Sequence, residues 1–330
     1  MKRDMKHIQS LYGVQSFDSA AAYAKTHFKD EGGIILARNL EHVSTEIFTQ
    51  EYAGLTFLNQ GLVINNEGGY ATSILKLKLQ TQGDFRESGD NTNTAGKISL
   101  TGEDDSIPVY TLEAESDWSE IELKRAELQG INLPSRYFEG HAERYNQKLD
   151  VIGYIGQVRA DGTQKTTGLL NYGWDTVGAA GDTAENLTGQ ELYDEIAGLI
   201  TAQWAGVLNV ETYKADRVVM PSRVYNVCST KILNSAGSEM SVLRALVTNF
   251  PQVTFGMTTR ADSTANGGAL ATSTTVAFSS NRRAMQYRLP IPLNVSSVHQ
   301  RGHKYYVESF FGLAGLDVIE EDSAQTLTGL

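Results

Sequence analysis

Little in this sequence braces or arms it through covalent chemistry. Of 330 residues one is cysteine, Cys228, which excludes an internal disulfide and suits a reducing compartment. The six histidines (His7, His27, His42, His141, His299 and His303) are scattered and lack the clustered spacing that zinc requires. His299 and His303 are four apart, but along a strand they would stand about 13 Å apart, too far to share an ion. His141 sits on an apolar helical stripe and reads as a packed core residue. No run approaches about 18 uninterrupted apolar residues, so no helical membrane span is expected. The opening Met1-Lys2-Arg3-Asp4-Met5-Lys6-His7 leads into mixed polar sequence, which argues against a secretory signal. Without secretion, the acceptor patterns Asn186-Leu187-Thr188 and Asn294-Val295-Ser296 carry no glycan.

Motifs for catalysis are missing too. Between Gly89 and Gly96-Lys97-Ile98 lie six residues, and an isoleucine follows the lysine; a phosphate-cradling loop needs four residues and a hydroxyl. No Gly-x-Ser-x-Gly elbow occurs. Asp104-Asp105 stands in a segment too polar to desolvate a carboxylate, so it reads as a solvated face. The sequence therefore predicts no catalytic, cofactor or metal residue. Basic charge is also short: 28 Lys and Arg against 39 Asp and Glu give a net charge of −11, and such a chain should not coat nucleic acid. An apolar share of 41%, a charged share of 20% and mean hydropathy of −0.28 are ordinary for a folded chain, with room for two or three cores or for one large domain with insertions.

The charge that is present is segregated. Between Asp84 and Glu122 eleven carboxylates face only Arg86 and Lys97, whereas Asn281 to Lys304 holds Arg282, Arg283, Arg288, Arg301 and Lys304 and no carboxylate. These segments either meet, within one subunit or across two, or form separate solvated surfaces. The residues singled out as candidate inter-subunit contacts are Asp84, Arg86, Glu87, Lys97, Glu103, Asp104, Asp105, Arg282, Arg283 and Arg288.

Along the chain, residues 1–68 show a short helix over Ser16–Lys25, an apolar helical face of Leu40, Val43, Ile47 and Phe48, and no clear core. Leu75, Leu77 and Leu79 alternate with Lys76 and Lys78, the period of a half-buried strand, and Val109 to Leu112 reads as its return arm behind Pro108. Gly83 to Gly102 between them is polar. Arms of about 20 residues would reach about 65 Å, far beyond the roughly 20 Å radius of a globule this size. A two-stranded ribbon of that length is marginal alone and needs another chain to lie on; the alternative is a shorter, folded-back loop. Asp117 is placed to cap a helix of Ile121, Leu123, Ala126 and Leu128 that Gly130 ends. Asn132, with Pro134 in the first turn, opens a long helix striped by Tyr137, His141, Tyr145, Leu149 and Ile152. Gly162 to Tyr172 reads as a turn and an irregular strand, the strand being Thr167–Asn171. Thr188-Gly189-Gln190-Glu191 is a capping box for a helix burying Leu192, Ile196, Leu199 and Ile200. Arg217–Met220 and Val253–Met257 read as strands and Ser222 and Ser238 as helix starts. Thr275–Phe278, Met285–Val298 and Lys304–Phe311 read as further strands.

Thin arm, polar-tipped β-excursion, long amphipathic helix, α/β unit, terminal strands: this order resembles the major capsid proteins of tailed bacteriophages, with the Hong Kong 97 or Johnson fold. The residues that carry the resemblance are Leu55-Thr56-Phe57-Leu58, Glu113 to Gly130 and the turn Gly168-Leu169-Leu170-Asn171; the chain is most similar to the group known as DUF 2184. The resemblance implies an α+β fold with an N-terminal arm (1–68), an extended loop over a neighbouring subunit (69–118), a peripheral domain with a spine helix (119–172), an α/β axial domain (173–280) and terminal strands (281–330). It implies a structural role without enzymatic activity, cofactor or membrane. Many copies, as pentamers and hexamers, would close an icosahedral shell around double-stranded DNA bound without sequence preference, with portal, scaffolding or decoration proteins as further partners. The location implied is the virion, assembled in the host bacterial cytoplasm. Because the chain reaches the arm almost at once, scaffolding would come from a separate protein or from the arms. Some relatives join a loop lysine to a neighbour's asparagine; Lys97 is near the tip, but no partner is identifiable. The alternatives are an encapsulin-like nanocompartment shell or a soluble enzyme or ligand-binding α+β protein.

Overall fold

The chain enters its described part through a 3-10 turn, Phe57–Gln60, and a two-residue strand, β1 (Ile64–Asn65). The computed structural model describes residues 55–85, 97–159, 162–207, 211–234, 238–266 and 268–330, all within the unit 54–330. The helix expected over Ser16–Lys25 and the apolar face of Leu40 to Phe48 lie outside the described residues.

Gly68 and Gly69, at φ +116° and +49°, lead the chain into a hairpin of β2 (Ser73–Gly83) and β3 (Ile98–Pro108). Its register runs from Ser73↔Pro108 to Gly83↔Ile98. Each arm is 11 residues, about 36 Å rather than the expected 65 Å. Pro108 stands opposite Ser73 at the root of the hairpin. Residues 109–112, read from sequence as the return arm, instead lead into β4 (Tyr110–Ser119), which pairs over its whole length with residues 304–313.

Helix α1 (Glu120–Leu128) is capped by Ser119, not Asp117: Ser119 Oγ accepts from Glu122 N–H while the Glu122 carboxylate accepts from Ser119 N–H. Asp117 still lies in β4, where Lys304 Nζ holds it at 2.8 Å. Helix α2 (Leu133–Ile155) begins at the expected Asn132 cap and buries His141, Leu149 and Ile152 of the predicted stripe. Gly168 to Asn171 forms a turn rather than a strand, and it closes the end of α2. Leu169 and Leu170 N–H donate to Gly153 O (2.9 Å) and Tyr154 O (2.8 Å), and Asn171 Nδ2 donates to Ile155 O (2.6 Å). Three carbonyls that a helix end leaves open are thereby satisfied. Only glycine fits first in this turn, because a Cβ on Gly168 would lie 2.4 Å from Ile155 N.

The remaining elements are β5 (Thr176–Ala179), α3 (Gly189–Gly206), β6 (Arg217–Pro221), α4 (Ser222–Thr230), β7 (Ile232–Asn234), β8 (Ser238–Ser241), α5 (Val242–Asn249), β9 (Thr254–Thr258) and β10 (Thr274–Phe278), then β11 (Met285–Arg288), β12 (Ile291–Val295), β13 (His299–Arg301), β14 (Lys304–Leu313), β15 (Gly315–Val318) and β16 (Ala324–Thr328). The helix expected from Ser238 starts later, since residues 238–241 pair with β7 and Ser241 is the cap. His303 falls in the turn between β13 and β14. A mixed five-stranded sheet, β5-β16-β10-β6-β9, carries α3, α4 and α5 over a core of Leu192, Ile196, Ile200, Val218 and Leu246. A second core beneath α2 joins Phe57, Leu149, Ile152, Tyr287, Phe311 and Leu313, drawing on β11, β14 and the turn at 57–60. The sequence reading missed β15, the edge of a three-stranded sheet β1-β11-β15, and β16, which lies between β5 and β10.

Candidate functional site

In an antiparallel pair, residues directly opposite share a face. One face of the hairpin therefore carries Leu75, Leu77 and Leu79 with Ser106, Asp104 and Gly102, and toward the tip Leu100 and Ile98. The other carries Ile74, Lys76 and Lys78 with Ile107, Asp105 and Glu103. A half-buried strand ought to turn its leucines inward, and the structure does the reverse. Leu75, Leu77, Leu79, Leu100 and Ile98 remain 68%, 59%, 58%, 67% and 55% exposed, while Lys76 is the inward residue with its side chain 16% exposed. Five apolar side chains in one contiguous ladder form the kind of surface that marks an interaction site.

The lysine face points at a buried carboxylate. Asp317 on β15 has no exposed side-chain surface and takes Lys76 Nζ on Oδ1 (3.0 Å), with Arg288 Nε (2.7 Å) and Gln286 Nε2 (2.9 Å) on Oδ2. Lys76 also donates to Val318 O at 2.8 Å and lies 3.4 Å from Asp105 across the hairpin. Burial pushes the Asp317 carboxyl upward, but the hydrogen bonds from Arg288, Gln286 and Lys76 outweigh it and hold the group below the usual aspartate range. A depressed carboxyl adds stability that is complete above its unfolded value, near 3.9, and lost as the pH falls through its folded value. We expect the thermal midpoint of the subunit to drop below about pH 4, and Asp317→Asn to flatten that slope while lowering the neutral-pH midpoint.

The other predicted residues are dispersed. Asp84, Lys97, Glu103 and Asp104 are exposed on the hairpin, Asp84 Oδ1 accepting Phe85 N–H at 2.8 Å. Arg86 and Glu87 lie outside the described residues. Arg282 reaches Glu67 at 3.3 Å with both side chains largely in solvent, and Arg283 is exposed. Arg288 corrects the sequence reading: it is largely buried, paired with Asp317 of its own chain. The acidic and basic segments do meet within one chain, where β4 and α1 lie beside β14: Lys304 pairs with Asp117 (2.8 Å) and His303 with Glu120 (3.3 Å). Lys76 and Asp317 are the residues that sequence reasoning missed. The signal available for Lys76 was its place opposite Asp105 in an alternating strand.

A groove of about 430 Å³ lies between α2 and the β4–β14–β12 sheet, floored by Leu112, Tyr145, Leu293 and Phe311. In it His141 Nδ1 meets Ser309 Oγ at 2.7 Å. Both residues are buried, and Ser309 Oγ also reaches Ala114 O at 3.4 Å, so the pair ties helix to sheet and does not present a nucleophile. The buried Cys228 thiol is pushed up to about 12 by desolvation and is inert. No three metal-ligating side chains cluster among the described residues.

Compared with known proteins, the chain matches the family described as Major capsid protein over residues 87–330. The solved capsid of the Myoviridae phage XM1 is 73% identical, with a TM-score of 0.80 over 91% of this chain and 100% of that one. The capsid of a native GTA particle (14% identity, TM-score 0.64, 91% and 99% covered) and the structure from Mycobacterium phage Ogopogo (10%, 0.58, 88% and 96%) share the fold. No curated protein matches.

Proposed function

Because the chain belongs to the major capsid protein family, and is therefore a non-enzymatic capsid shell protein of the Hong Kong 97 type, we propose that its leucine-faced hairpin is the surface that joins neighbouring copies. The observation behind this reading is the inversion of the hairpin: Lys76 on its charged face is held by its own chain, and its apolar face is left to water. A second copy of the chain is the occupant that fits, because a shell presents every subunit with identical neighbours. Ile121 and Leu128 on α1 are exposed as well, apart from the hairpin ladder. In this reading the copies close as pentamers and hexamers around double-stranded DNA in the host bacterial cytoplasm, with a portal, scaffolding or decoration protein as further partners. Asp84, Lys97, Glu103, Asp104, Arg282 and Arg283 are then rim contacts that tune the salt dependence of assembly. An acidic shell wall suits packed DNA, which must slide past it without adhering.

Size-exclusion chromatography followed by negative-stain microscopy tests the reading. Closed particles that protect DNA from nuclease are expected. A species of one to four subunits at every concentration and salt would overturn it.

A further inference from the structure

We propose that Lys76 is a positioning residue for assembly: a removable latch that sets the angle of the hairpin on its own subunit. The inference rests on the assembly reading above and names the residue that prepares that surface. At its root the hairpin follows two glycines at positive φ, Gly68 and Gly69, and its backbone is closed there by the bond from Val109 N–H to Thr72 O (2.9 Å). A two-stranded ribbon has little stiffness of its own. Its direction must then be fixed by side chains that reach from its lysine face to the body. Lys76 stands about 10 Å up β2 from Ser73. Its ammonium has three donors and three acceptors around it: Asp317 Oδ1 (3.0 Å) and Val318 O (2.8 Å) on the body, and Asp105 (3.4 Å) on the hairpin. Two of its donors are thus bonded to the body while Asp105 holds the third side at ion-pair distance, which ties the hairpin to the body at this point. Lys78, the next residue on that face, lies 3.8 Å from Glu320 with both side chains substantially in solvent, and such a pair holds little.

The charge arrangement makes the latch separable from the fold. Asp317 keeps Arg288 at 2.7 Å and Gln286 at 2.9 Å on Oδ2, so loss of Lys76 leaves its charge compensated and removes only the partner of Oδ1. Asp105, freed at the same time, is 63% exposed and returns to water. The body therefore keeps its ion pair while the hairpin loses its strut.

The test uses Lys76→Met, which keeps the stem and removes the charge, with Lys76→Arg as the conservative rescue and Lys78→Met as the control. The native Cys228 is buried, so spin labels report only from introduced cysteines, Thr101→Cys on the hairpin and Glu211→Cys on the body. In the unassembled subunit Lys76→Met should broaden the distance distribution, with the thermal midpoint lowered by no more than about 4 °C, and particle yield should fall at least tenfold. Lys76→Arg should restore a narrow distribution, and Lys78→Met should leave both readouts unchanged. A narrow distribution or parental particle yield in Lys76→Met would overturn the proposal, as would a collapse of its thermal midpoint, which would make Lys76 merely structural. If the parent chain itself forms no particles, the assembly reading fails, and the distance measurement still decides the latch.

Discussion

Subunits carrying Leu75→Ser, Leu77→Ser and Leu79→Ser together should fold as the parent does and fail to form particles. All three side chains lie on the outward face of β2 and already spend more than half their surface in water, so their loss removes little from the subunit. In a contact with another copy the same surface would be buried. Complete burial of a leucine contributes about 1.5–3 kcal/mol, so the fraction still exposed gives roughly 1–2 kcal/mol each. Three such losses, about 4 kcal/mol, weaken one contact close to a thousandfold. A closed shell repeats the contact around every subunit, and the deficits multiply. Circular dichroism and thermal melting should match the parent, while chromatography and microscopy should find small species only. Particles at parental yield would show that the ladder is not an interface, and an unfolded triple variant would show that the leucines support their own chain.

This result depends on which face of the hairpin looks outward, and that was not legible in the sequence. Alternation at residues 75–79 says that the two faces differ; it does not say which one meets the body. Inference from burial chose the leucines. The deciding fact was a carboxylate 241 positions away, Asp317, which draws Lys76 inward and turns the leucines out. Arg288 misled for the same reason: a cation in a short strand looks like surface until the partner 29 residues later is known. Signals that were local fared better. Helix α2 was readable because cap, proline and stripe agree along one element. The Gly168-Leu169-Leu170-Asn171 turn drew notice as a motif, and its role as the closure of α2 follows from the carbonyls it satisfies. Strands β15 and β16 were missed because their burial comes wholly from partners distant in sequence, leaving no periodic pattern of their own.

Replacement of Asp150 by alanine should produce the largest loss of subunit stability. This carboxylate lies inside α2, buried, and accepts from Thr56 N–H (2.9 Å) and Phe57 N–H (3.0 Å) on Oδ1 while Arg260 Nε lies 3.3 Å from Oδ2. It thus caps the turn at 57–60 and draws the segment after β9 onto the same helix. Tyr154, one turn on, repeats the tie through Thr56 Oγ1 (2.9 Å) and Gln60 Nε2 (3.1 Å). Between these anchors the Phe57 ring lies flat on α2 where Gly153 leaves room, since a Cβ there would come within 2.4 Å of the ring. Alanine at 150 strands two donors, at roughly 1–3 kcal/mol for a buried group. Breaking a buried ion pair costs about 3–5 kcal/mol, less here because Arg260 retains access to water. A loss of about 3 kcal/mol, or a midpoint lower by roughly 4–5 °C, is expected. Asp150→Asn keeps one acceptor for both N–H groups but loses the charge and turns an NH2 donor toward Arg260 Nε, so about half that loss should remain. Calorimetry on the two variants separates the terms: equal losses would assign the whole effect to the pairing with Arg260, and an unchanged midpoint in Asp150→Ala would mean that the packing of Phe57 alone holds the turn to the helix.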